Sequence, residues 1–258
     1  VRALGRSLLL VAMLLAAMLD ACLRRPRQGA EGAVWIHRWC GRFLRVMGVT
    51  YEVRGDLPRA GAVVCNHLSY LDILVMSAAA PFVMVSKIEV KSWPLVGWLT
   101  ARAGTVYVQR SGGPATYPGV NAAMAEAYRS GLPVLFFPEG TTTDGDSGIL
   151  AFRRGLFHSV LENEVPLWTA AVRYEVEGGG SVANDVCWWG DMFLGPHVWR
   201  LLGLRGVRAR VKFGEEIVTR RDRFELSEGA RAAVAEMYAE LGGAVVIGVR
   251  EAELVEVL

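Results

Sequence analysis

Residues 61 to 80 read GAVVCNHLSYLDILVMSAAA, and the fold turns on how they are parsed. Ala62, Val63, Val64 and Cys65 form a short apolar run of the kind that makes a strand buried on both faces. From Ser69 onward the composition suits a helix. Ser69 is placed to cap it, and Asp72 stands where the acid of a capping box falls. Between strand and helix lie Asn66 and His67. His67 and Asp72 are five apart, a spacing that does not share one face of a regular helix. With His67 in the turn ahead of the helix, its ring can fold back onto the Asp72 carboxylate. Such a pair fixes the imidazole tautomer and stabilises the imidazolium formed when the ring takes a proton. Taken alone, the stretch reads rather as a polar cap with an incidental histidine, and the stretches downstream reverse that reading.

Strand and helix signals alternate along the rest of the chain. FVMVSK (82–87), GTVYVQR (104–110), PVLFFPEG (133–140), VPLWTAAVRYEV (165–176) and VRARVKFGEEI (207–217) read as strands. GVNAAMAEAYRSG (119–131), GLFHSVLENE (155–164) and LSEGARAAVAEMYAEL (226–241) read as helices, the first closed by Gly131. This alternation predicts an α/β fold with a mixed, mostly parallel sheet flanked by helices. The 258 residues suit one such domain with additions. The expected division is residues 1–50 as N-terminal membrane-anchoring helices and 51–258 as the α/β domain.

The N-terminal part rests on SLLLVAMLLAAMLDACL (7–23), apolar apart from Ser7 and Asp20 and followed by Arg24, Arg25 and Arg27. A full span takes about 20 apolar residues, so this segment fits a short or tilted span, or a helix lying at the interface. The arginines belong on the cytoplasmic side and suit anionic lipid heads. The expected location is the cell inner membrane, cytoplasmic face. In AVWIHRWCGRFLRVMGV (33–49), Trp35, Trp39, Phe43 and Val46 recur at helical spacing, with Arg38, Arg42 and Arg45 among them. Interfacial binding and core packing both satisfy that pattern. The net charge of +2 gives no nucleic-acid signal. Cys22, Cys40, Cys65 and Cys187 form no CxxC pair, which excludes a zinc ribbon or thioredoxin-like motif.

Two further stretches carry chemistry. GTVYVQR opens on Gly104 and delivers Arg110 at its far end, where a guanidinium can grip an anion. FFPEGTTTDG (136–145) ends an apolar strand in Pro138, Glu139, Gly140 and Thr141. Gly140 permits close backbone approach, the turn N–H groups can face an anion, and Glu139 can accept from substrate hydroxyls.

Taken in order, these stretches resemble the glycerolipid acyltransferases, which make phosphatidic acid from lysophosphatidic acid. The first family block, N-H-x-x-x-x-D, is matched by Asn66, His67 and Asp72. The second is matched by Gly104, Tyr107, Val108 and Arg110, and the third, F-P-E-G-T, by Phe137, Pro138, Glu139, Gly140 and Thr141. Val165 and Pro166 match half of a fourth block, with Thr169 in place of its second proline. SKIEVKSWPLVGWL (86–99) is similar to the family's segment between the first two blocks and adds Lys87. The resemblance covers roughly residues 33–220.

The resemblance implies direct acyl transfer. His67 is the general base, oriented by Asp72, that deprotonates the free hydroxyl of a lysolipid. The donor is acyl-CoA or acyl-ACP (acyl carrier protein), with no cofactor and no metal. Asn66, Ser69, Lys87, Gly104, Arg110, Glu139, Gly140 and Thr141 are the implied substrate-binding set. The expected acceptor is 1-acyl-sn-glycerol-3-phosphate, giving phosphatidic acid, with lyso-ornithine lipid or another lysolipid as the alternative. That alternative follows from a departure: many members place Arg then Ser after F-P-E-G-T, where this chain has Thr142 and Thr143. Of another class would be a membrane-anchored lysolipid-binding protein without turnover, which would have no use for a His–Asp pair. The remaining histidines, His37, His158 and His197, lack metal-ligand spacing.

Overall fold

The computed structural model describes residues 1–109, 117–217 and 222–242. Two helices lead, α1 (Arg2–Arg24) and α2 (Ala30–Met47), followed by β1 (Val49–Arg54), β2 (Ala62–Cys65), α3 (Leu71–Ala79) and β3 (Val83–Lys87). The chain continues through α4 (Val96–Arg102), β4 (Val106–Val108), α5 (Tyr117–Arg129), β5 (Val134–Phe136) and α6 (Gly155–Glu162). It ends with β6 (Leu167–Glu177), α7 (Leu194–Gly203), β7 (Gly206–Glu216) and α8 (Arg223–Glu240).

The strands form one sheet in the order β1-β7-β6-β2-β5-β3-β4. All neighbours pair in parallel except β6 with β7. The expected mixed, mostly parallel sheet is therefore present. From β2 the chain crosses two places outward to β3, whereas from β4 it crosses back to β5. Right-handed crossovers then put α3 on one face and α5 on the other. α6, on the crossover from β5 to β6, joins α5, and α8 packs beside α6 and on β6. α2 packs on α3. Ala62 through Cys65 have helices over both faces and are fully buried, which is why this strand reads as an unbroken apolar run.

Several elements escape the sequence patterns. β1 is the edge strand immediately after α2, with only its first residue buried. α4 and α7 are obscured by Pro94 and by Gly195 with Pro196. Pro196 lies in the first turn of α7, where its missing N–H costs no helical bond. Ser69 does not cap α3 as expected. Tyr70 stands at the cap position without a side-chain cap bond, and the Ser69 hydroxyl is buried with no partner. The reciprocal half of the capping box is present instead, with Asp72 accepting from the Ser69 N–H at 2.9 Å.

α2 joins the main core through Ala33, Cys40, Leu44 and Met47. Its other side, with Trp35 and Phe43, meets Ala17 and Ala21 of α1 and Leu99 of α4 in a second apolar cluster. α1 is tied to the domain near both ends. The Arg6 guanidinium donates to the carbonyls of Leu202 (3.2 Å) and Leu204 (2.7 Å), and Asp20 accepts from the indoles of Trp35 and Trp39. The opposite side of α1 exposes Leu4, Leu8, Val11, Leu15, Leu19 and Leu23.

Phe136 tests the core. It is buried on the central strand β5, edge-on to Phe157 at 5.7 Å. Phe136→Ala is expected to cost about 3–5 kcal/mol, read as a lowered denaturant midpoint in detergent; a loss under about 1 kcal/mol would contradict this packing.

Candidate active site

Strand pairing assembles the site. β2 and β5 run parallel with Val64 level with Phe136, so the chain three residues on places His67 beside Glu139. Both emerge at the carboxyl ends of the parallel strands, where open α/β sheets present their ligand sites.

His67 Nδ1 lies 2.7 Å from Asp72 Oδ2. The carboxylate can only accept, so Nδ1 carries the proton and Nε2 is left as the basic nitrogen. The same Oδ2 also accepts from the N–H groups of Leu68 (2.7 Å) and Ser69 (2.9 Å), while Oδ1 accepts from the Tyr174 hydroxyl at 2.6 Å. Asp72 lies in the first turn of α3, where the helix dipole favours negative charge. Its side chain is wholly buried, whereas that of His67 keeps 15% exposure, so the imidazole can be reached and its partner cannot. The Phe137 ring stacks on the imidazole at 4.1 Å and 12°, which sets the plane of the His67 ring.

Glu139 faces inward. Oε1 accepts from the His67 N–H at 2.7 Å and Oε2 from the Leu150 N–H at 2.9 Å. Burial pushes its carboxyl up to about 8, opposed by those two N–H groups. Both oxygens are thus engaged by the protein, and Glu139 holds the backbone of His67.

Asn66 is likewise committed. Its amide donates to the Val172 carbonyl (2.9 Å) and accepts from the Val172 N–H (2.8 Å), extending the ladder between β2 and β6 through a side chain. Ser69 is buried against Asp72 as described. Lys87 ends β3 at the same edge of the sheet as Glu139, its Nζ 6.0 Å from the centre of the Trp93 ring. Gly140 and Thr141 form the turn after β5. Gly140 has φ of 74°, and a Cβ there would collide with the Arg153 side chain. Thr141 is exposed. Gly104 is not brought to His67: it precedes β4 at the opposite end of the sheet, with φ of 77° and Gly29 backbone in the space a Cβ would take. Arg110 lies outside the described residues. Among the described residues no group of His, Cys, Asp and Glu is arranged to hold a metal ion.

Sequence reasoning missed three contributors. Tyr174 approaches Asp72 from β6, and burial pushes its phenol well above the ordinary value, so it stays protonated and donates. Arg153 brings a guanidinium against the FPEG turn although residue 142 is not an arginine. The segment around α7 braces the loop. The Trp188 N–H donates to Leu68 O (2.9 Å), and Tyr70 Oη lies 3.1 Å from His197 Nδ1. His197 Nε2 lies 2.9 Å from Cys187 O, so that nitrogen donates and Nδ1 accepts from Tyr70. Trp188 is therefore a structural brace, whereas Phe193 and Trp199 are exposed.

This geometry agrees with the comparisons to known proteins. A family model described as Acyltransferase matches residues 48–173. The lyso-ornithine lipid O-acyltransferase of Pseudomonas aeruginosa is 35% identical over 237 residues, covering 89% of this chain and 90% of that one. The 1-acyl-sn-glycerol-3-phosphate acyltransferase of Neisseria meningitidis serogroup B is 34% identical over 187 residues, covering 69% and 71% respectively. The crystal structure of the 1-acyl-sn-glycerophosphate (LPA) acyltransferase PlsC from Thermotoga maritima shares the fold, with a TM-score of 0.62. That match covers 93% of this chain and 98% of the other at 17% identity. The chain is a member of the acyltransferase family.

Proposed function

We propose that the enzyme transfers a fatty acyl group from a thioester to the free hydroxyl of a lysolipid, with lyso-ornithine lipid as the acceptor. The observation that carries the chemistry is the His67–Asp72 contact of 2.7 Å with Nε2 left basic. His67 Nε2 takes the hydroxyl proton as the acceptor oxygen attacks the thioester carbon. The C–S bond then breaks, and the imidazolium returns the proton to the departing thiolate of CoA or acyl carrier protein. No covalent acyl-enzyme and no cofactor enter this sequence. Asp72 balances the transient imidazolium, and four donors hold its carboxylate in place.

The acceptor assignment is supported by Thr142 and Thr143 after the FPEGT turn and by the 35% identity to the Pseudomonas lyso-ornithine enzyme across 90% of its length. A second reading, 1-acyl-sn-glycerol-3-phosphate as acceptor, is favoured by the Neisseria relative and by the Arg153 guanidinium at the turn, which offers a fork for phosphate.

The enzyme works at a membrane surface in this proposal, on the cytoplasmic face of the inner membrane. The most apolar window of α1 has a mean hydropathy of 2.0, and only 11% of it is buried. Because α1 is bound to the domain near both ends, it lies along the bilayer surface with its leucine stripe inward. Exposed Phe193 and Trp199 on the neighbouring α7 segment suit the same interface.

His67→Ala is expected to lower kcat by about 10²–10⁴-fold with an unchanged circular dichroism spectrum; full activity in the folded variant would refute the base assignment. Tyr174→Phe removes a hydrogen bond to a charged group. Such bonds contribute about 1.5–3 kcal/mol, so kcat should fall about ten- to a hundred-fold with KM nearly constant. An unchanged kcat in the folded variant would leave Tyr174 a packing residue only. With labelled acyl-CoA and acyl-ACP, kcat/KM for lyso-ornithine lipid should exceed that for 1-acyl-sn-glycerol-3-phosphate by at least about ten-fold, the value of one good discriminating contact. The reverse order establishes the second reading; free fatty acid alone indicates hydrolysis, and no product with either acceptor indicates a binding protein.

A further inference from the structure

Where α1 and α2 pack together, a recess of about 230 Å³ opens, lined by Asp20, Arg24, Trp35, Arg38, Trp39 and Arg42. All six come from the two N-terminal helices, and the acyl-transfer chemistry uses none of them. Asp20 is already committed within it. Oδ2 accepts from the indole N–H groups of Trp35 (2.9 Å) and Trp39 (3.0 Å), and Oδ1 from Arg24 Nε (2.6 Å). One carboxylate thus balances one guanidinium. Arg42 lies over the Trp39 ring, 5.2 Å from its centre, and gives one N–H to the Arg38 carbonyl. Among the described residues neither Arg38 nor Arg42 enters an ion pair, so two positive charges stand unbalanced beside a pair of indoles.

The surroundings decide what such a recess takes. Leu19 and Leu23, each adjacent in sequence to an acidic or basic lining residue, are exposed on the apolar stripe of α1. Arg45, exposed one turn beyond Arg42, extends the basic row. The recess therefore sits where an apolar surface gives way to a basic one, the profile of a lipid at the level of its phosphate. Guanidinium forks match phosphate oxygens, and tryptophan favours this depth of a bilayer. We infer that the recess seats the phosphodiester of an anionic phospholipid, with its acyl chains running along Leu19 and Leu23. The inference rests on the membrane placement proposed above. It adds a specific lipid site, separate from the acceptor pocket, that recruits the enzyme to anionic bilayers.

The test uses the full chain and sedimentation with vesicles of phosphatidylcholine alone or mixed with phosphatidylglycerol. Each arginine near an anionic surface contributes about 1 kcal/mol. The Arg38→Gln/Arg42→Gln variant should therefore bind the mixed vesicles roughly thirty-fold more weakly, with unchanged binding to phosphatidylcholine and an unchanged circular dichroism spectrum. The charge-matched control Arg54→Gln/Arg129→Gln should lose less than about three-fold. Equal loss in the control, unchanged binding by the first variant, or equal loss on both vesicle types overturns the site. So does competition by millimolar inorganic phosphate, which would make it a free-phosphate site. A variant that binds vesicles normally but loses activity only with acyl-ACP overturns it in favour of docking an acidic carrier protein. If the unaltered enzyme binds neither vesicle, the membrane placement fails as well, whereas binding indifferent to these arginines leaves that placement standing.

Discussion

A carboxylate with no access to water survives only when its oxygens are matched by donors. Asp72 meets that condition with four: the His67 ring, two loop N–H groups and the Tyr174 hydroxyl. Much of the site follows from satisfying it. The two N–H bonds fold residues 67–72 into one tight turn, the start of α3 is fixed by the same oxygen, and the imidazole has one tautomer available. Removing a donor affects orientation and charge together, so the site is a unit rather than a histidine with helpers.

Glu139 applies the same logic one strand away. It lies on the continuation of β5, beside the continuation of β2, and ties the backbone of His67 to that of Leu150. Two buried acids thus hold His67, one through its ring and one through its main chain. Their mutual repulsion contributes to the raised value of Glu139, though desolvation is the larger cause. The Phe137 face completes the enclosure, leaving one edge of the imidazole for substrate.

The sequence was most informative where chemistry and burial coincide. The run from Ala62 to Cys65 announces a doubly covered strand, and NHLSYLD with FPEGT announces the two stretches that meet at His67. Residues whose partners are distant in the chain were not legible. Tyr174 meets Asp72 across 102 positions, and nothing in VRYEV marks one aromatic as a donor to an acid. Asn66 and Glu139 look like substrate ligands because their side chains are polar beside a base, yet each is spent on backbone. Gly104 belongs to a motif for a packing reason, its backbone lying against Gly29. His197 reads only as a histidine without metal-ligand spacing until the fold sets it against Tyr70.

The attachment of α1 near both ends has a consequence for how the protein can be handled and how it can evolve. A helix joined by a single flexible link can be trimmed away to leave a soluble remainder. Here the inner face of α1 is the lid of an apolar trough formed by Trp35, Phe43 and Leu99. Cutting it off would bare those rings and strip Trp35 and Trp39 of their shared acceptor. The helix that carries the exposed leucine stripe is therefore also a structural wall, and the α/β body cannot shed that stripe without exposing a second greasy surface in exchange.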